Sequence, residues 1–210
     1  MDYHCLRQRN TKMKIVLLVL FAACLSQAKI NQDIHFNWVQ YTGEIPENAI
    51  IGGETGDSDP TYVARSVLSA NPDDENYSGS DYNGYVAGGV LPGKLVMNAS
   101  TPESIYTLTK NIEILTVVNG TKIEWIESFE HAFMEIFNSD DYRPVRIGWQ
   151  ANGDMWNSTL YLGSSFADGV IYIGHILTSA IPPGLNQNSY HPFYTNPFAD
   201  GLYKVLVYYI

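Results

Sequence analysis

WVQYTGEIPENAIIGGETGDSDPTYVARSV, residues 38–67, can be laid above WQANGDMWNSTLYLGSSFADGVIYIGHIL, residues 149–177. Trp38 then meets Trp149 and Gly52 meets Gly163, at one spacing of 111 residues. After a single deletion, YVAR at 62–65 meets YIGH at 172–175. Pro92-Gly93 pairs with Pro183-Gly184, and IEILTV from Ile112 pairs with YKVLVY from Tyr203. Both halves keep one order of landmarks: tryptophan, turn, glycine, tyrosine among apolar neighbours, Pro-Gly, closing strand. Such self-similarity is the mark of a tandem repeat whose copies bury their apolar faces against each other. Two unrelated β stretches sharing turn chemistry are the alternative.

Local chemistry points to strands. Gly43 and Pro46 on one side and Gly52-Gly53 on the other bracket residues 49–51, a length that suits one short buried strand between tight turns. Asp57, Asp59 and Pro60 make a further turn. TYVARSVL, residues 61–68, alternates as a strand, with Tyr62, Ala64 and Ser66 on one face and Val63, Arg65 and Val67 on the other. Leu91-Pro92-Gly93-Lys94 is a turn into LVM, and residues 112–118 form a β-branched run that reads as buried strand. Residues 69–89 are polar, acidic and glycine-rich, the composition of an exposed loop. Between the copies, TKIEWIESFEHAFMEIFNSDDY has a capping-box pattern at Thr121 and Glu124, with aromatic residues at 125, 129, 133 and 137. That spacing predicts a helix of three to four turns packed on the sheet, with an irregular strand through KIEWIE as the alternative.

With 45% hydrophobic residues, 15 Tyr and 17 Gly, the chain has the make-up of a glycine-punctuated globular β protein and not of a disordered one. The expected fold is all-β: two degenerate tandem repeats that share one core, at 36–118 and 147–210, with a linker at 119–146 that carries the short helix.

The amino terminus reads as a secretory signal peptide, residues 1–28. Arg7, Arg9, Lys12 and Lys14 precede the apolar run IVLLVLFAACL, and Ser26-Gln27-Ala28 places small residues where a signal peptidase needs them. The run is short of the roughly 20 residues of a membrane span. Met13 is an alternative initiator. Cleavage after Ala28 would remove both cysteines, Cys5 and Cys24, and leave an extracellular chain stabilised by core and sheet without disulfides. It would also remove four basic residues and the acidic Asp2, moving the net charge from −10 to −13. So acidic a surface argues against nucleic acid or anionic lipid as partner. Four Asn-x-Ser/Thr sequons follow the signal, at Asn76, Asn98, Asn119 and Asn157, and mark candidate glycosylation sites. Asn119-Gly120 is in addition a hairpin-turn signal.

Catalytic motifs are weak. His4, His35, His131, His175 and His191 are scattered without a close His pair, and there is no G-x-S-x-G elbow or Walker loop. Acids are plentiful, but a glycosidase needs two of them facing one sugar, which spacing cannot show. No enzyme activity, metal or cofactor is expected.

Trp38, GEIPENAIIGG at 43–53, YVAR at 62–65, Pro92-Gly93-Lys94 and IEIL at 112–115 together resemble the DM-nine repeat family. Its members are insect secreted tandem-repeat proteins, oyster mannose-binding lectins and the lectin part of natterin-like proteins. The second copy departs from the pattern: Met155-Trp156 stands for Ile-Pro, Gly163 for Gly-Gly, and His175 for Arg. The resemblance implies a pseudo-two-fold fold and non-catalytic binding of mannose-type glycans in extracellular recognition or innate defence. In the family's lectins an acid soon after Gly-Gly and the Lys of Pro-Gly-Lys contact the sugar. A carboxylate accepts hydrogen bonds from vicinal hydroxyls while an ammonium donates to the same oxygens. Lys94 matches. The acid position falls on Thr55, with Glu54 and Asp57 as neighbouring substitutes. In the second copy Leu185 replaces the lysine, and Asp168 is the candidate acid. The expected partners are carbohydrates or glycoprotein glycans, with a homodimer left open. A secreted structural or interaction protein of the same fold, its sugar site decayed, is the alternative from another class.

Overall fold

The computed structural model describes residues 34–210 except 102–103, 130–132, 153–155, 168, 179–186 and 191–201. The expected signal peptide, the Pro183-Gly184 turn with Leu185, and Asp168 lie outside the described residues. Strands run through nearly every described segment: β1 (Phe36–Gln40), β2 (Ile51–Glu54), β3 (Pro60–Leu68), β4 (Asn83–Val90), β5 (Met97–Ser100), β6 (Ile105–Leu108), β7 (Glu113–Val117), β8 (Ile123–Phe129), β9 (Tyr142–Pro144), β10 (Arg146–Asn152), β11 (Trp156–Ala167), β12 (Val170–Thr178), β13 (Gln187–Tyr190) and β14 (Leu202–Tyr209). One five-residue helix, α1 (Phe133–Phe137), interrupts them. The protein is all-β.

The strands pair antiparallel in one sheet, along the order β1-β7-β3-β2-β12-β11-β10-β4-β5-β6. Because β3 also pairs with β4, the path β3-β2-β12-β11-β10-β4 returns to its start and makes a ring of strands. Three of the ring strands precede residue 118 and three follow it. The two sets meet at Ile171 opposite Glu54, and at Gln150 and Ala151 opposite Gly84 and Asn83. Val63, Ala87, Ile147, Leu160, Leu162 and Ile173, from five of the six ring strands, belong to one buried cluster. Burying each of the valine, leucine and isoleucine side chains stabilises the fold by about 1.5–3 kcal/mol. The sixth ring strand, β2, brings glycines instead. A Cβ on Gly53 would stand 2.5 Å from the Ile171 carbonyl oxygen, so the Gly-Gly pair is what lets β2 approach β12.

β3 and β12 begin and end at the positions that the alignment of the halves equates, and both are central. The tryptophan strands have different partners: Trp38 lies opposite Leu115 on β7, and Trp149 opposite Thr159 on β11. Both nonetheless reach one column of side chains. The Arg65 guanidinium lies 4.4 Å from the Trp38 ring centroid and 4.5 Å from that of Tyr85, and Trp149 meets Tyr85 edge-on at 6.5 Å. Arg65 Nε donates to Glu113 Oε2 at 2.7 Å, and Nη1 donates to the Ile147 carbonyl. One cation thereby ties β1, β3, β4, β7 and β10.

Several local expectations need correction. Residues 49–51 are not a buried strand: Ala49 makes a single bridge to Thr116, β2 starts at Ile51, and Ile51 is 53% exposed. The loop expected at 69–89 ends before Asn83, where the glycine-rich NGYVAGGV forms β4. Its glycines serve close strand approach: a Cβ on Gly88 would stand 2.0 Å from the Asn98 carbonyl oxygen on β5. Asn119-Gly120 is a turn but not a hairpin, since β7 pairs with β1 and β3 while β8 pairs with β14. The three-to-four-turn helix is replaced by β8, the alternative strand. β14 buries Tyr203, Val205, Leu206 and Val207, and strand β8 supplies it with a seven-residue hydrogen-bonded neighbour that a helix could not. Among the described residues of this segment only Phe133–Phe137 is helical, packing Phe133 on Tyr161 at 5.2 Å.

Candidate functional site

Lys94 is positioned by a turn that two other segments hold. After β4, the Lys94 amide donates to the Leu91 carbonyl at 3.1 Å and closes the turn. The Gly93 amide donates to the Gly43 carbonyl at 2.8 Å, and the Tyr41 hydroxyl donates to the Leu91 carbonyl at 2.6 Å. Burial raises the Tyr41 pKa and keeps the phenol a donor. The loop that follows the Trp38 strand thus fixes where Lys94 stands.

Glu54 and Thr55 come from the other end of the first half. The β2–β3 turn folds on Thr55: its amide donates to the Asp59 carbonyl at 2.9 Å, and its hydroxyl accepts from the Asp59 amide at 3.1 Å. These contacts keep Glu54 and Thr55 at the strand end. Together with Lys94 they line a cavity of about 550 Å3, completed by Asn98 of β5 and by Tyr172 and Ile173 of β12. The volume is in the range of small-ligand sites. Residues distant in sequence and drawn from both halves therefore meet at one place. A carboxylate, an ammonium, an amide and an aromatic residue share a partly apolar wall, a set able to hold a polyol by hydrogen bonds and apolar contact.

Not every candidate converges. Asp57 is exposed on the β2–β3 turn and is not in the cavity wall. Asn98 and Tyr172 also stand in the wall, although the sequence marks Asn98 only as a sequon and Tyr172 only as a landmark of the repeat. The pairing of Asn98 with Gly89 puts it beside β4, a register without a mark in the sequence.

A second cavity, also about 550 Å3, is lined by Ile51, Trp125, Glu127, Ser165, Phe166 and Lys204, among others, and shares Glu54 and Ile171 with the first. Lys204 faces Glu127 across the β14–β8 pairing. This lysine belongs to the second half but not to its Pro-Gly turn.

The sequons differ sharply. Asn76 is 8% exposed, and its amide nitrogen lies 3.1 Å from Ser66 Oγ and from the carbonyls of Val67 and Lys110. That nitrogen is engaged inside the fold, and a glycan on it would take one of its two hydrogens and need room among these three acceptors. Asn98 is exposed, with Oδ1 accepting from Thr107 Oγ1 at 3.1 Å, and Asn119 is exposed on its turn. The Asn157 side chain is outside the described residues.

Among the described residues no group of three His, Cys, Asp or Glu side chains converges as a metal site. His175 is wholly buried on β12, and burial alone pushes its pKa down to about 4, so it is neutral at ordinary pH. His35 stacks on Tyr208 at 4.6 Å. No protein-family model matches the chain, and no curated protein matches it significantly.

Proposed function

We propose that the protein is a secreted, non-catalytic carbohydrate-binding protein, lectin-like and directed to mannose-type glycans, in extracellular recognition or innate defence. The observation that carries this is the meeting of Lys94 with Glu54 and Thr55 in one cavity whose far wall is β12. It agrees with the DM-nine resemblance, in which the lysine of Pro-Gly-Lys and an acid after Gly-Gly bind sugar. The two halves are worn copies of one unit, and the equal extents of β3 and β12 support that descent.

Glycan-array binding of wild type and Lys94→Ala tests the proposal. Retention of mannose-type glycans by wild type and a loss of about tenfold or more in the variant support it. Equal binding by both proteins would remove Lys94 from the site. One observation favours the decayed-site alternative: Thr55 stands at the expected acid position, with its hydroxyl engaged by the Asp59 amide. A folded wild type that retains no glycan on the array would establish that alternative.

A further inference from the structure

Asn98-Ala99-Ser100 is a sequon inside the wall of the Lys94 cavity, which is an unusual place for one. We propose that the chain's own N-glycan on Asn98 covers this cavity and competes with outside sugars for it. The inference rests on the proposal that the chain is secreted and that the cavity receives sugar.

Three observations carry it. Asn98 is exposed, and Thr107 Oγ1 donates to its Oδ1, so the side chain has an anchored direction on β5. The first sugar of an N-glycan is bonded to Nδ2, so its stem starts at the cavity wall and remains at the rim. Lys94 and Glu54, the groups proposed to hold sugar, line that same cavity and are the partners its hydroxyls would find there. Asn76 supplies the contrast, because its nitrogen is already engaged by Ser66, Val67 and Lys110. Asn119, although exposed, lines neither cavity. Of the three sequons with described side chains, only Asn98 couples modification to the site.

Tethering sets the size of the effect. A sugar held on a short flexible link has an effective concentration in the millimolar range or above. Even a weak preference of the cavity for that sugar keeps it seated, and a free ligand must displace it. The expected cost is about tenfold in apparent affinity where the effective concentration exceeds the intrinsic Kd about tenfold.

The test uses the full chain secreted from a eukaryotic cell, as wild type, as wild type treated with an N-glycan-removing enzyme, and as Asn98→Gln. Glycopeptide mass spectrometry should find Asn98 occupied and Asn76 bare. The rate at which an N-hydroxysuccinimide ester labels Lys94, with Lys110 and Lys122 as internal references, should be about tenfold lower in the glycosylated protein than in the other two forms. Affinity for methyl mannoside should change in the same direction. An unoccupied Asn98, or a Lys94 labelled equally fast with and without the glycan, overturns the inference. Protection of Lys94 with no mannoside binding in any form would retain the covering glycan and reject the lectin. Mannoside binding with no protection would do the reverse.

Discussion

Replacing Arg65 with methionine keeps an unbranched side chain and removes the cation that both tryptophan regions share. The guanidinium lies between Trp38 and Tyr85 and bonds to Glu113 at 2.7 Å, with its side chain 15% and that of Glu113 33% exposed. A desolvated cation–π contact contributes about 2 kcal/mol, and a hydrogen bond to a charged group about 1.5–3 kcal/mol. These terms are not additive. Burial also lowers the Arg65 pKa, since desolvation outweighs the help from Glu113, and this offsets part of the gain. A net loss of about 3 kcal/mol is expected for Arg65→Met, because the substitution also leaves the Glu113 carboxylate without its partner. For a domain of about 150–250 residues that corresponds to a fall in Tm of about 6–12 °C. Arg65→Lys keeps the charge but not the planar stack, and should lose less than the methionine variant. Urea unfolding followed by tryptophan fluorescence gives both values. A double-mutant cycle with Glu113→Gln then separates the ion pair from the stack. A methionine variant within about 0.5 kcal/mol of wild type, the ordinary range for surface substitutions, would refute the idea that this column joins the strands.

Acid should weaken the protein through His175. Its folded pKa is about 4, below the ordinary 6.5 of the unfolded chain, so the unfolded state takes up the proton first as pH falls. The stabilisation is complete above about pH 6.5 and is lost on acidification toward pH 4, by about 2–3 kcal/mol between pH 7.5 and 4.5. Urea titrations of wild type and His175→Gln at those two pH values check this, and an equal acid sensitivity of the two proteins would count against it. Gly88→Ala should disrupt the β4–β5 pairing, because the added Cβ meets the Asn98 carbonyl at 2.0 Å. A loss of about 1–3 kcal/mol, the usual range for overpacking, or failure to accumulate as folded protein is expected. Gly56→Ala, whose Cβ would find only Val170 Cγ2 at 3.9 Å, should remain within about 0.5 kcal/mol of wild type. Circular dichroism thermal melts compare the pair.

Sheet structure was legible where alternation and turn chemistry agreed. Pro60–Leu68 and Glu113–Val117 alternate or run β-branched between clear turn residues, and both are strands. β4 was illegible for a physical reason. Glycine disfavours strands intrinsically, and the need for Gly88 comes from a neighbouring backbone that no local pattern reveals. β8 was ambiguous because aromatic residues spaced by four satisfy a helix, while the hydrogen bonds offered by β14 lie far along the chain. The candidate site was legible only in part. The lysine and the residues after Gly-Gly were found through the family resemblance. The support of Lys94 by Tyr41 and the place of Asn98 in the wall depend on tertiary contacts between separate segments. Asn76 shows the converse, since a sequon specifies a chemical signal but not whether its nitrogen is already in use.

The ring of strands has a bearing on synthesis. With β2, β3 and β4 made, the nascent chain holds two strand edges whose partners, β12 and β10, have not yet been translated. Such edges are open to pairing with other chains until the later strands arrive, a hazard that non-local β topologies share. Neither portion can mature as an independent module, so the protein should melt in a single cooperative step. Two resolved transitions in scanning calorimetry would show instead that each portion closes on its own.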